Sequence, residues 1–137
     1  MDYKKEVGLT KDASWQMGVM KTIDKEFNIV WDFMFSDEGL KIWLGNVEAS
    51  QLEVGKEINL DGGVWCKIVV FKAFSHVRMK WKKSDWENTS RLQLRVIRSK
   101  QNTVVSFAQE MMFDKVQQEE MILHWKKVTT ELSEALK

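Results

Sequence analysis

The 137-residue chain has no proline, a single cysteine and only two histidines. Each scarcity excludes something. Without proline, turns have to be built from Gly, Asn, Asp and Ser. With Cys66 alone no internal disulfide can form, and one cysteine plus two histidines is too few for a zinc cluster. No segment approaches the roughly 20 apolar residues of a membrane-spanning helix. The charged opening, Met1-Asp2-Tyr3-Lys4-Lys5-Glu6, has no apolar signal core. Neither charge sign dominates: the net charge is +1, with Lys and Arg interleaved among Asp and Glu. The densest basic run, Lys80, Lys82 and Lys83, is short enough to be a solvated strand end rather than a nucleic-acid interface. The expectation is a cytoplasmic single-domain protein over residues 1–137, with 1–12 as an N-terminal arm. It should have no cofactor, no metal, no nucleic-acid partner and no membrane insertion, and exist as a monomer or weak homodimer.

What is present is a globular balance, 44% hydrophobic and 30% charged, with seven tryptophans. An indole is costly to bury unless its N–H finds an acceptor, so so many of them point to a large interior or a lined cavity. From Ser14 to Ile23, Trp15, Met17, Val19 and Ile23 alternate with polar or small residues, which predicts a strand. Asp24 is placed as a helix cap ahead of Phe27, Val30, Trp31 and Met34 at helical spacing. Ser36 opens a second short helix with Leu40, Trp43 and Leu44, closed by Gly45 and Asn46.

Beyond residue 47 the period is two. Strands are predicted over Val54–Leu60, Val64–Ala73, His76–Lys82, Arg91–Arg98 and Thr103–Met111, with a hairpin turn at Asp61-Gly62-Gly63 and another turn at Lys100-Gln101-Asn102. Val77, Met79, Trp81, Leu92, Leu94, Val96, Val105 and Phe107 fall on the inward face. From about Asp114 to the end, Met121, Trp125, Val128, Leu132 and Leu136 form one helical stripe with His124 beside it. Strands joined by short turns imply an antiparallel meander, and only the last helix is long enough to cover its apolar face.

Three strings carry a resemblance: Trp15-Gln16-Met17-Gly18, Val30-Trp31-Asp32-Phe33 and Gly39-Leu40-Lys41-Ile42-Trp43-Leu44-Gly45. Val77–Trp81, Thr103–Glu110 and Met121–Trp125 continue it. In this order and spacing, over residues 13–137, the chain resembles the SRPBCC superfamily. It is similar in particular to the branch of homologues of activators of a heat-shock-protein ATPase. The resemblance implies an α+β, START-like (Bet v-type) helix-grip fold, an antiparallel sheet wrapped around a long C-terminal helix, with a cavity between sheet and helix. It also implies three possible roles: carriage of a small hydrophobic molecule, interaction with a chaperone, or cyclase chemistry. Fold alone does not choose among them.

The residues expected to line a ligand pocket are Trp31, Trp43, Met79, Trp81, Phe107, Gln109, Met121 and His124. An apolar wall with few polar anchors is the usual form of such a site. By alternation Gln109 points inward and Glu110 outward, so the Gln109 amide could orient a ligand. His124 is the one group with a pKa suited to acid–base work, but no nucleophile or orienting partner is evident in sequence, and no catalytic residue is assigned. Cys66 reads as a small buried hydrophobe, and Gly62-Gly63 as a turn rather than a phosphate loop. Exposed Arg78, Lys80, Lys82, Arg91 and Arg95 would supply a basic face for a protein partner.

Overall fold

A computed structural model describes residues 15–137; the N-terminal arm and the Ser14 end of the first predicted strand lie outside the described residues. Strand β1 (Trp15–Ile23) leads into α1 (Phe27–Met34) and α2 (Asp37–Trp43), and a single 3-10 turn (Ala49–Gln51) follows. The chain then runs through β2 (Glu57–Leu60), β3 (Val64–Lys72), β4 (His76–Lys83), β5 (Ser90–Ser99) and β6 (Asn102–Met112), and ends in α3 (Lys115–Ala135). The six strands form one antiparallel sheet in the order β1-β6-β5-β4-β3-β2. Five of them are a meander; β1 closes the far side by pairing with β6, Val19 opposite Phe107. The α+β helix-grip is therefore the observed fold, with α3 packed along β1 and against α2.

The sheet follows the two-residue period. Val77, Met79 and Trp81 on β4, Leu92, Leu94 and Val96 on β5, and Val105 and Phe107 on β6 are all buried. The α3 stripe Met121, Trp125, Val128, Leu132 and Leu136 is buried against them. Asp114 starts α3, its carboxylate accepting from the Gln117 amide at 2.8 Å. Gln117 and Asn88 exchange side-chain amide bonds of 3.0 and 2.9 Å, which ties the start of α3 to the β4–β5 loop. Across the sheet end, Lys83 pairs with Glu120 at 3.3 Å.

Five local expectations are corrected. Asp24 does not cap α1: the N-cap is Glu26, and no side chain supplies a capping bond. The strand expected from Val54 begins at Glu57, because Gly55 turns the chain with φ 88°. The strand from Val64 ends at Lys72 rather than Ala73, and that from His76 runs one residue further, to Lys83. Nor are all turns built by Gly, Asn, Asp and Ser. Phe74 and Lys100 in turns, and Met111 near the end of β6, adopt left-handed backbone with φ 62°, 58° and 63°, a region where a side chain costs about 1–2 kcal/mol.

Candidate functional site

The site begins with how closely α2 packs. Ser36 caps it, its hydroxyl accepting from the Gly39 amide at 3.1 Å and donating to the Phe33 carbonyl at 2.6 Å. A Cβ on Gly39 would lie 1.8 Å from the Phe33 carbonyl oxygen, so only glycine lets α2 fold back on α1 here. At the other end the Leu44 and Gly45 amides both donate to the Leu40 carbonyl. Gly45, with φ 153°, lies so near Leu60 that a Cβ would sit 3.1 Å from its Cδ2. This contact sets the end of α2 against the end of β2.

Trp43, the last residue of α2, points inward and donates its indole N–H to the Met34 carbonyl at 2.7 Å. Its ring meets Phe107 at 6.1 Å, and Phe107 stacks on Trp125 at 4.3 Å and 12°. Trp125 in turn neighbours Trp81 at 6.5 Å, and Trp81 meets Trp86 edge-on at 5.4 Å. Beneath these rings runs a buried polar relay. Trp125 Nε1 donates to Gln109 Oε1 at 2.8 Å, Gln109 Nε2 donates to Ser90 Oγ at 2.9 Å, and Ser90 Oγ donates to the Trp81 carbonyl at 2.6 Å. Both ends of the Gln109 amide are engaged within the protein. Among the described residues no buried side-chain nitrogen or oxygen lacks a partner.

At one end of this packed centre the grip is open. A pocket of about 540 Å³ lies between the end of α2, the β2–β3 turn and α3. Ile42, Trp43, Leu44, Val64 and Trp81 give it an apolar wall; His124 stands at one side, and Lys41, Asn46 and Asp61 form the rim. His124 is half-buried, its ring edge-on to Trp125 at 4.6 Å and tilted to Trp81 at 6.5 Å. Burial lowers its pKa from the ordinary value, and the positive charges of Lys83 and Lys127 lower it further, outweighing Glu120 and Glu131. The neutral imidazole is thus favoured. Among the described residues no hydrogen bond links it to a carboxylate, so the orienting group of an acid–base pair is missing.

The eight expected lining residues therefore separate into three groups. Trp43, Trp81 and His124 meet at the open pocket. Met79, Phe107, Gln109 and Met121 are enclosed in the centre, none more than 1% exposed. Trp31 belongs to a different aromatic cluster, 4.6 Å from Phe35 and 5.5 Å from Phe74, and connects to the pocket only through the Phe35–Trp43 contact of 6.1 Å. Cys66 is fully buried opposite Trp81, and burial pushes its thiol pKa up to about 11, which keeps it protonated. Among the described residues no cluster of three His, Cys, Asp or Glu side chains is arranged to hold a metal. No helix among them is long and apolar enough to cross a membrane.

No protein-family model matches the chain, and no curated protein matches it. Solved structures do. DynU16, a protein of the dynemicin biosynthetic locus, superposes with a TM-score of 0.77 at 11% identity over 88% of this chain. The chain spans only 46% of that protein's length. The Aha1 dimer from Colwellia psychrerythraea superposes at 0.69, with 17% identity, over 88% of this chain and 95% of its own. PFC0360w, an HSP90 activator from Plasmodium falciparum, gives 0.59 at 14% identity over 72% of this chain and 74% of its own. The fold shared with these structures is the helix-grip, and at these identities the likeness speaks for the fold alone.

Within the helix-grip, sequence reasoning missed the polar rim. Lys41 in α2 and Asn46 just after it lie 15 or more residues from Asp61, and the Gly45–Leu60 contact sets the two segments side by side. It also missed Ser90, which reads as an ordinary strand-end serine. Its one signal is parity: Ser90 is in phase with Leu92, Leu94 and Val96, the inward face of β5.

Proposed function

We propose that the protein is a cytoplasmic binding module that holds a small apolar or amphipathic molecule at the open end of the helix-grip. The supporting observation is the pocket of about 540 Å³, in the size range of small-ligand sites, with an apolar wall and polar groups confined to His124 and the rim. Trp43 and Trp81 form the floor against which an apolar body would lie. Lys41, Asn46, Asp61 and the neutral His124 would meet its polar end. Met79, Phe107, Met121 and Gln109 stand behind as a rigid support, and Trp31 lies further off in its own aromatic cluster. A library of amphipathic compounds, followed by tryptophan fluorescence and native mass spectrometry, tests this. The expected result is saturable one-to-one binding that Val64→Arg abolishes while leaving the fold intact. No binding by any compound, or binding indifferent to Val64→Arg, counts against the pocket.

A second reading has the protein act on a chaperone. It is favoured by the two structural neighbours named Aha1 and HSP90 activator. Purified chaperone with and without this protein, assayed for ATP turnover, decides it; an unchanged rate removes that reading.

A further inference from the structure

The net charge of +1 conceals a segregation. The six strands hold ten Lys and Arg against two Asp and Glu, whereas the helices and connections among the described residues hold eight against fifteen. Most of the strand cations face outward, because their neighbours in sequence face in: Lys67 lies between buried Cys66 and Ile68, and Lys80 between Met79 and Trp81. The pairing register puts them in order. One row crosses five strands as Glu57, Lys67, Lys80, Arg91, Glu110. The adjacent row runs Gly18, Ala108, Gln93, Arg78. The first row is cationic in the middle with a carboxylate at each end; the second has almost no side chain on β1 and β6.

A groove of about 510 Å³ lies along these rows, separate from the pocket at the end of the grip. The small residues Gly18 and Ala108 leave it space: a Cβ on Gly18 would have only the Phe107 carbonyl oxygen, at 4.0 Å, for a neighbour. Val69 and Val70, where the β3 register shifts, give it an apolar end. Arg78 and Arg91 both line the groove, Arg78 Nε donating to Gln93 Oε1 at 2.6 Å and Arg91 forming an exposed ion pair with Glu110 at 3.7 Å. Among the described residues no carboxylate pairs with Lys80.

We infer that this outer sheet face is a docking site for a short acidic polypeptide segment carrying an apolar side chain. The acidic groups would meet Lys67, Lys80, Arg91 and Arg78, and the apolar one would rest on Val69 at the apolar end of the groove. The two flanking carboxylates favour that occupant. At about 4.8 Å per strand the cationic stretch from Lys67 to Arg91 is only about 10 Å long, and Glu57 and Glu110 cap it. A continuous polyanion laid along this row, such as a nucleic-acid backbone, would meet a carboxylate at each end. A short acidic stretch fits between them.

The test uses a fluorescein-labelled peptide with Glu and Asp flanking a central leucine, followed by anisotropy on the full chain at low and moderate salt. Saturable binding that weakens with salt is expected. Lys80→Glu with Arg91→Gln should weaken it at least ~10-fold, because two groove charges are lost or reversed. Lys126→Glu with Lys127→Gln makes the same change in net charge on α3 and should shift affinity by less than about twofold. Ala108→Glu, which fills and acidifies the groove without touching a cation, provides a second variant should the first pair unfold the sheet. Absence of binding at low salt, equal losses in the two charge-matched pairs, or tighter binding of duplex DNA or phosphatidylserine vesicles would overturn the inference. None of these outcomes bears on the pocket beside His124, whose ligand titration is read separately.

Discussion

The centre of the grip and its open end are built from the same residue types yet behave as opposites. At the centre, Trp125, Phe107 and Gln109 are enclosed, and every polar atom is answered by another side chain or a carbonyl. At the end, Trp43 and Trp81 line a pocket whose polar groups are His124, Lys41, Asn46 and Asp61. An indole therefore does not by itself mark a ligand site. What distinguishes the two regions is where the polar partners go: inward into a closed relay, or outward to a rim.

The largest way to break that contrast is Trp125→Ala. It removes the ring stacked on Phe107 and orphans Gln109 Oε1, and should cost about 3–5 kcal/mol by chemical denaturation. Lys126→Ala, one residue along but exposed, should cost roughly 0.5 kcal/mol or less. Equal costs would mean that the register of α3 is wrong and the centre is not sealed as described. Next in size is Gln109→Leu, which keeps the volume but leaves the Trp125 N–H and the Ser90 hydroxyl without this amide. A loss of about 1–3 kcal/mol is expected, with little change in ligand affinity at the open end. If Gln109→Leu instead abolished binding while leaving stability untouched, the centre would itself be the site.

The smallest effect sharpens the description of the open end. His124→Gln should alter stability at about pH 7.5 by less than ~1 kcal/mol, since no hydrogen bond to the ring is lost. Its pH dependence should change more clearly. The folded state lowers the His124 pKa below its ordinary 6.5. As pH falls through that value the unfolded chain takes up the proton first, so stability falls with acidification until the folded pKa is passed. His124→Gln should flatten that decline between about pH 7.5 and 5.5. Some slope will remain from His76, whose pKa is lowered by its partial burial and by Arg95, Arg78 and Lys72. An unchanged slope would show that His124 is not in the environment described.

How much of this was legible in the sequence follows the same division. Period two and the α3 stripe placed the apolar buried residues of β4, β5 and α3, because burial on one face is what those periods encode. The inward direction of Gln109 was legible too, but not its partners, since Ser90 and Trp125 reach it from 19 and 16 residues away. Pairing between distant side chains leaves no periodic trace. The rim of the pocket was illegible for a related reason: it depends on a glycine contact between two segments, and local pattern does not reveal which segments meet. The turn at Lys100 was legible from its neighbours Gln101 and Asn102, whereas the one at Phe74 escaped turn chemistry because phenylalanine does not favour left-handed backbone.

Cys66 gives the sealed centre one more consequence. Its sulfur is the chain's only thiol, it lies on an interior strand fully covered, and burial raises its pKa to about 11. A thiol reagent cannot reach it through a fraying terminus or a moving loop. Modification has to wait until β3 separates from its neighbours, so the labelling rate of the unmutated protein is a clock for opening of the sheet. A ligand in the end pocket, which is walled by Val64 of the same strand, should slow that clock.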